Sequence, residues 1–173
     1  MQKARKRKSQ KLISRLTNSF ISASYMGQAK TLNETELKRL LKVVAIERYG
    51  DRNRIVILLG HWTGMRVGEI ASLTVADVLN GDGSVKDTIR LTAAQTKGRL
   101  GRVVHLPNKM RKELESYLAC KCRLPSHPLI FSQKNLSFTP NGLCSTVKHW
   151  YKLAGLENGS SHSGRRSFLT KLA

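Results

Sequence analysis

The stretch Thr63–Val78, "TGMRVGEIASLTVADV", decides how the rest of the chain is read. It follows the nearly continuous apolar run Arg54–Trp62, "RIVILLGHW", which has the character of a buried helix. Arg66 comes only four residues after that run, in a turn flanked by Gly64 and Gly68. Gly64 suits the left-handed turn that ends a helix. A guanidinium next to the hydrophobic centre needs a partner or a purpose. Glu69, three residues on and on the same helical face, is the local partner available to Arg66.

Composition narrows the purpose. At 173 residues the chain suffices for one domain with a real core, and 40% of it is apolar. Its charge is unusual: 31 Lys and Arg face 11 Asp and Glu, a formal +20. Such a surplus favours a polyanion partner, most often nucleic acid. Charge alone also admits a ribosome-associated protein or an anionic membrane surface. No apolar run approaches the ~20 residues that span a bilayer. The start, "MQKARKRKSQKLISRL", lacks the apolar segment and cleavage site of a secretory signal. Three cysteines, Cys120, Cys122 and Cys144, make no disulfide framework, and a reducing, intracellular compartment fits them best. Cys120 and Cys122 with His127 have poor spacing for zinc, so no metal is expected.

Residues 1–30 read as a basic flexible arm. From Met1 to Asn33 there are eight basic residues and no acidic one. Lys3, Arg5, Lys6, Arg7 and Lys8 are the densest part, suited to lying on phosphates; a solvated tail or linker is the other reading. The segment Lys11–Phe20 has the pattern to become helical on a partner. Order is expected from Leu32, with Asn33 and Glu36 as a capping box and Leu32 and Leu37 as the staple around it. That helix carries Leu37, Leu40, Leu41, Val44 and Ala45 on one face, with Gly50 ending it. A second, buried helix is expected over Asn53–Trp62 and a short one over Val67–Leu73.

The period then changes. Thr88–Leu91 and Val103–Leu106 read as two strands joined by a turn that Gly98 and Gly101 permit and that Lys97, Arg99 and Arg102 load with charge. A helix over Asn108–Leu118 follows, then the connector "CRLPSHPLIFSQ". The next helix has Thr139 as cap, Pro140 at its first position and Gly155 after its end, with Leu143, Val147, Tyr151 and Ala154 facing inward. Ser161 is placed to cap a last helix beginning near His162. Trp62, Trp150 and Phe168 are expected to pack inward.

Three basic islands therefore stand far apart in the chain: Arg66, Lys97, and "HSGRR" at His162–Arg166. Taken singly, each has an ordinary reading, as an ion pair, a solvated turn lysine or a helix-start histidine. Their order and flanks carry more. "TGMRVGEIASLTVADV" closely resembles the first arginine motif of tyrosine recombinases, the phage-integrase family, with the pattern T-G-x-R-x-x-E-[IL]-x-x-L-x-x-x-D-[IV]. "QTKGRLGRVVHLP" resembles that family's β-hairpin, where a turn lysine precedes a strand ending in Leu-Pro. "SHSGRRSFLTKLA" is similar to its H-x-x-R motif, with Gly164 and Arg166 where Leu and His are usual. The resemblance covers Thr31 to Ala173.

The resemblance implies an α+β, mainly helical fold of the tyrosine-recombinase catalytic type over residues 31–173, with a small antiparallel hairpin. It implies DNA breakage and rejoining in integration or site-specific recombination, on double-stranded DNA and with further recombinase subunits. Arg66 and Arg165 would clamp the scissile phosphate by paired hydrogen bonds, with Glu69 orienting Arg66. Spacing selects Arg165 over Arg166. Lys97 would protonate the departing 5′-hydroxyl, and His162 would hydrogen-bond the phosphate or assist proton transfer. The arm residues with Arg99 and Arg102 would hold the DNA backbone. No cofactor is implied, because arginines supply the positive charge that metal ions supply elsewhere. A bacterial or phage protein of the cytoplasm, associated with the nucleoid, is the expected setting. The family's tyrosine nucleophile follows the H-x-x-R motif by some two dozen residues or more. The domain is therefore expected to be truncated at its C-terminus and inactive alone. The rival readings are a DNA-binding remnant or regulator of the same fold, and a basic RNA- or ribosome-binding protein. Type IB topoisomerases share the chemistry, but the hairpin and "TGMRVGEI" resemble integrases more.

Overall fold

A computed structural model describes residues 29–119, 124–134 and 136–172. The basic cluster Lys3 to Lys8, the segment Lys11–Phe20, and Cys120 and Cys122 lie outside the described residues. The described elements are helices α1 (Glu34–Ile46), α2 (Gly50–Thr63), α3 (Val67–Ala71) and α4 (Val75–Val78), then strand β1 (Thr88–Leu91), a 3₁₀ turn (Ala93–Gln95) and strand β2 (Arg102–His105). Helices α5 (Asn108–Ala119), α6 (Pro140–Leu153) and α7 (Ser163–Leu172) complete them. The mainly helical α+β expectation holds. The two strands pair antiparallel, Thr88 opposite His105 and Leu91 opposite Arg102. Strand β1 falls where expected, and β2 begins one residue earlier, at Arg102.

The start of α1 follows its sequence. Glu36 donates its N–H to Asn33 Oδ1 at 2.8 Å, and Glu36 Oε2 accepts from the Asn33 N–H at 3.1 Å. Such a cap is worth about 1 kcal/mol. Leu32 and Leu37 are both buried beside it. Two details of α1 differ from expectation. Ala45 is exposed one residue before the helix ends, whereas Leu37, Leu40 and Val44 are buried and Leu41 packs against the core partly buried. Nor does Gly50 end this helix. The chain turns earlier, through extended Glu47 and left-handed Tyr49 (φ 64°), and Gly50 begins α2. Tyr49 holds that conformation with its ring edge-on to Phe131, centroids 5.2 Å apart, and with Arg48 and Arg52 over its face.

Helix α2 is the axis of the core. It is buried on nearly all sides and packs against α7, α1 and α5. Each of its large apolar side chains contributes roughly 1.5–3 kcal/mol. Gly64 ends it in the left-handed conformation, φ 65°. The inward residues expected of α6, namely Leu143, Val147, Tyr151 and Ala154, are all buried, and Trp150 joins them. Trp62 and Phe168 are half-buried. At α7, Ser160 rather than Ser161 orders the helix start. Ser160 Oγ accepts from the His162 N–H at 3.2 Å, and the Ser160 N–H donates to Ser163 Oγ at 3.0 Å. Gly164 lets α7 lie directly on α2: a Cβ there would stand 3.0 Å from the Gly60 carbonyl carbon. A larger side chain at that position would require the two helices to give by a few tenths of an ångström.

One buried group between these helices sets a pH limit on the fold. His61 is 2% exposed, and neither ring nitrogen has a hydrogen-bond partner. Burial, then the Lys171 ammonium, push its pKa down to about 4 from 6.5, with Glu34 opposing. The unfolded chain therefore takes up this proton at a higher pH than the folded one. Stability from this group is complete above pH 6.5 and declines as pH falls from 6.5 toward about 4. A loss of about 2 kcal/mol is expected by about pH 5 relative to about pH 7.5. Urea unfolding at the two pH values measures it. A His61→Leu variant with the same pH dependence would show the loss to lie elsewhere.

Candidate active site

The site is built where α2 ends. After the Gly64 turn the chain buries Met65 and extends at Arg66 (φ −75°, ψ 149°), the residue that caps α3. Glu69, in the first turn of α3, returns its carboxylate to that cap. Oε2 accepts the Arg66 backbone N–H at 2.7 Å, and Oε1 accepts from Arg66 Nη1 at 3.0 Å. The same carboxylate takes a second guanidinium from strand β2. Arg102 donates from Nε to Oε1 at 3.2 Å and from Nη2 to Oε2 at 2.7 Å. Glu69 is only 2% exposed, whereas the side chains of Arg66 and Arg102 are 41% and 32% exposed. Burial alone would raise the Glu69 pKa, but hydrogen bonds from Arg102 and from the Arg66 backbone outweigh it and hold the carboxyl below its usual range.

Arg165 arrives from α7, donating Nη1 to the Gly64 carbonyl. Its pKa is lowered first by burial and then by repulsion from Arg66 and Arg102, with Glu69 opposing. Two guanidiniums thus bond to one carboxylate and a third lies within electrostatic reach of all of them, leaving a net charge of about +2 in a cluster whose arginines are partly exposed. Arg166 points elsewhere, its Nη1 donating to the Ala29 carbonyl at 3.1 Å.

The other candidates sit around this cluster. His162 is exposed, one residue before α7 and three before Arg165. Lys97 and Arg99 are exposed in the hairpin turn, Arg99 in a left-handed conformation with φ 51°. Among the described residues, neither the Lys97 nor the His162 side chain hydrogen-bonds to the three arginines. Lys97 and Arg102 belong to one hairpin, however, so the strand that carries one into the cluster also carries the other's turn. Membership of Arg102 in the cluster was not drawn from the sequence, although strand parity held the signal. Residues 102, 104 and 106 share a face, and Val104 and Leu106 are buried.

The phage integrase family model matches residues 30–173. The chain belongs to the phage integrase family. Among curated relatives, the tyrosine recombinase XerA of Pyrococcus furiosus is 29% identical over 147 residues, covering 83% of this chain and 48% of the relative. XerA of Pyrococcus horikoshii is 30% identical over 147 residues, covering 83% and 47%. The chain therefore spans about half the length of these curated relatives. Among solved structures, XerH recombinase bound to palindromic difH substrate, a post-cleavage complex, has a TM-score of 0.62 and 28% identity, with 86% of this chain and 43% of that one covered. A XerA recombinase crystal structure shares the fold at TM-score 0.65 and 23% identity, covering 84% and 51%. Lambda integrase (residues 75–356) bound to DNA shares it at 0.62 and 17%, covering 84% and 51%. The small two-stranded sheet amid helices is thus the phage-integrase catalytic fold. Among the described residues, no helix is long and apolar enough to cross a membrane.

Proposed function

We propose that this domain grips a phosphodiester of duplex DNA at the Arg66–Arg102–Arg165 cluster and serves strand breakage and rejoining in integration or site-specific recombination. The observation that carries the reading is the charge arrangement: three half-exposed guanidiniums around one buried carboxylate. A phosphate under attack gathers negative charge on its non-bridging oxygens, and planar guanidiniums meet two oxygens at once. Glu69 fixes two of them before substrate arrives, so little reorganisation remains at the moment of reaction. In this reading Arg66 and Arg165 clamp the scissile phosphate and His162 adds a hydrogen bond or assists proton transfer. Lys97 supplies the proton for the leaving 5′-hydroxyl. Arg99 and the arm residues Lys3 to Lys8 run along the flanking backbone, and further recombinase subunits occupy the same DNA. The structural likeness to XerH bound to its difH substrate and to lambda integrase bound to DNA supports the choice of partner.

Binding to duplex DNA should accordingly be dominated by counterion release. With about six phosphates neutralised, affinity should fall by about 10³ or more between 50 and 200 mM salt. Fluorescence anisotropy over a salt series measures this. A flat response, or binding to RNA without binding to duplex DNA, would overturn the reading in favour of an RNA-binding protein.

A further inference from the structure

We propose that the two acids of the stretch Thr63–Val78, Glu69 and Asp77, form a seat that holds the Lys97 turn at both of its roots, with Arg102 and Gln95 as the positioning residues. The proposal rests on Lys97 being a phosphate-contacting residue of the site described above. The turn leaves β1 at Leu91 and passes through the 3₁₀ segment Ala93–Gln95. There Gln95 Nε2 donates to Asp77 Oδ2 at 3.2 Å and lies 3.4 Å from the Ser72 carbonyl. The other end of the same amide is also engaged, since Gln95 Oε1 accepts from the Thr92 N–H at 2.9 Å. Asp77 is itself fixed, taking the Thr74 N–H at 2.8 Å and the Thr74 hydroxyl at 3.0 Å. On the returning side, Arg102 locks onto Glu69 through both carboxylate oxygens.

Between these roots the turn closes on itself. Thr96 is 8% exposed and donates its hydroxyl to the Leu100 carbonyl at 2.8 Å, while the Arg99 N–H donates to the Thr96 carbonyl at 3.2 Å. Lys97 is thus a free ammonium on a fixed backbone. That is the arrangement a proton donor or phosphate contact needs, because a misplacement of about 1 Å can cost on the order of 10² in rate. The eight-residue separation of the two acids acquires a reason. Glu69 on α3 serves the arginine side of the hairpin and Asp77 on α4 serves the amide side. Both belong to the motif that also delivers Arg66, so one segment positions the clamp and the turn together.

Gln95 gives the cleaner test because it carries no charge and touches no member of the arginine cluster. On the 173-residue chain with a random-sequence duplex as probe, Lys97→Ala should lower the slope of log affinity against log salt by about 0.9, the loss of one phosphate contact. Gln95→Met, which changes no charge, should lower it by the same amount. Lys97→Ala added to Gln95→Met should lower it no further. Amide exchange at Arg99 should quicken about tenfold in Gln95→Met while Leu58 and Leu59 keep wild-type exchange, which separates loss of position from loss of fold. Gln95→Asn, too short to reach Asp77, is the second variant should the first fail to fold. Additive slopes, or a Gln95 variant with the wild-type slope and Arg99 exchange, would overturn the proposal while leaving DNA binding intact. A flat salt slope in the wild type would instead overturn the proposed function. Unchanged Arg99 exchange in the variant would still reject the seat.

Discussion

Arg66→Ala and Arg165→Ala should each cut strand cleavage by about 10²–10³ or more, with the fold preserved. That loss corresponds to about 3–4 kcal/mol of transition-state stabilisation. The assay joins this chain to a tyrosine-bearing C-terminal segment of a family member and follows cleavage of a nicked suicide duplex. The fold should survive Arg66→Ala because Glu69 keeps its bidentate pair with Arg102 and is not left as an unpaired buried carboxylate. Arg165→Ala removes a donor to the carbonyl of the buried Gly64, a cost of about 1–3 kcal/mol that is less than the stability of a typical domain. Lys97→Ala should lower cleavage too, but a substrate with a 5′-thiol leaving group should rescue it, since a thiolate departs without a proton. The arginine variants should gain nothing from that substrate. Cleavage within tenfold of the parent in either arginine variant would remove that residue from the clamp. Failure of the thiol rescue would remove Lys97 from the proton-donor role.

Much of this site was legible because its first part is local. The buried run before Gly64, the left-handed turn and the Arg66–Glu69 pair all lie within a few residues of one another, where helix periodicity and capping rules act directly. Arg165 was chosen on spacing; in the fold it donates to the Gly64 carbonyl, whereas Arg166 donates to the Ala29 carbonyl. The rest needed contacts that only folding makes. Arg102 meets Glu69 across 33 positions and Gln95 meets Asp77 across 18. No local rule ties a strand-root arginine or a turn glutamine to an acid on another element. The α1–α2 boundary failed for a different reason. Glycine is the usual bearer of a left-handed turn, so Gly50 drew the helix end toward itself. Tyr49 bears that turn instead, held by aromatic and cationic packing that is tertiary.

Incubated alone with suicide substrates, the 173-residue chain should form no covalent link to DNA. A nucleophile must reach the phosphorus in line at about 3 Å, already placed among the donors that stabilise the developing charge. The described tyrosines are committed elsewhere. Tyr151 is 2% exposed on α6, and burial pushes its phenol well above the usual range, so neither approach nor ionisation is available. Tyr117 is buried with its hydroxyl donating to the Leu129 carbonyl at 2.9 Å. Tyr49 stacks among Phe131, Arg48 and Arg52 at the opposite end of α2 from Arg66. Tyr25 lies outside the described residues, and Tyr25→Phe is the matching control. A DNA-linked band abolished by Tyr151→Phe would show that α6 opens to release a core residue, and the packing described here would be wrong. A band that forms only after a tyrosine-bearing family member is added, and that depends on Arg66 and Arg165 of this chain, would mean that this clamp acts on a nucleophile delivered in trans. If DNA binding persists with its steep salt dependence while neither mixture yields a band, the same guanidinium cluster serves occupancy of recombination sites, and the chain acts as a regulator of this fold.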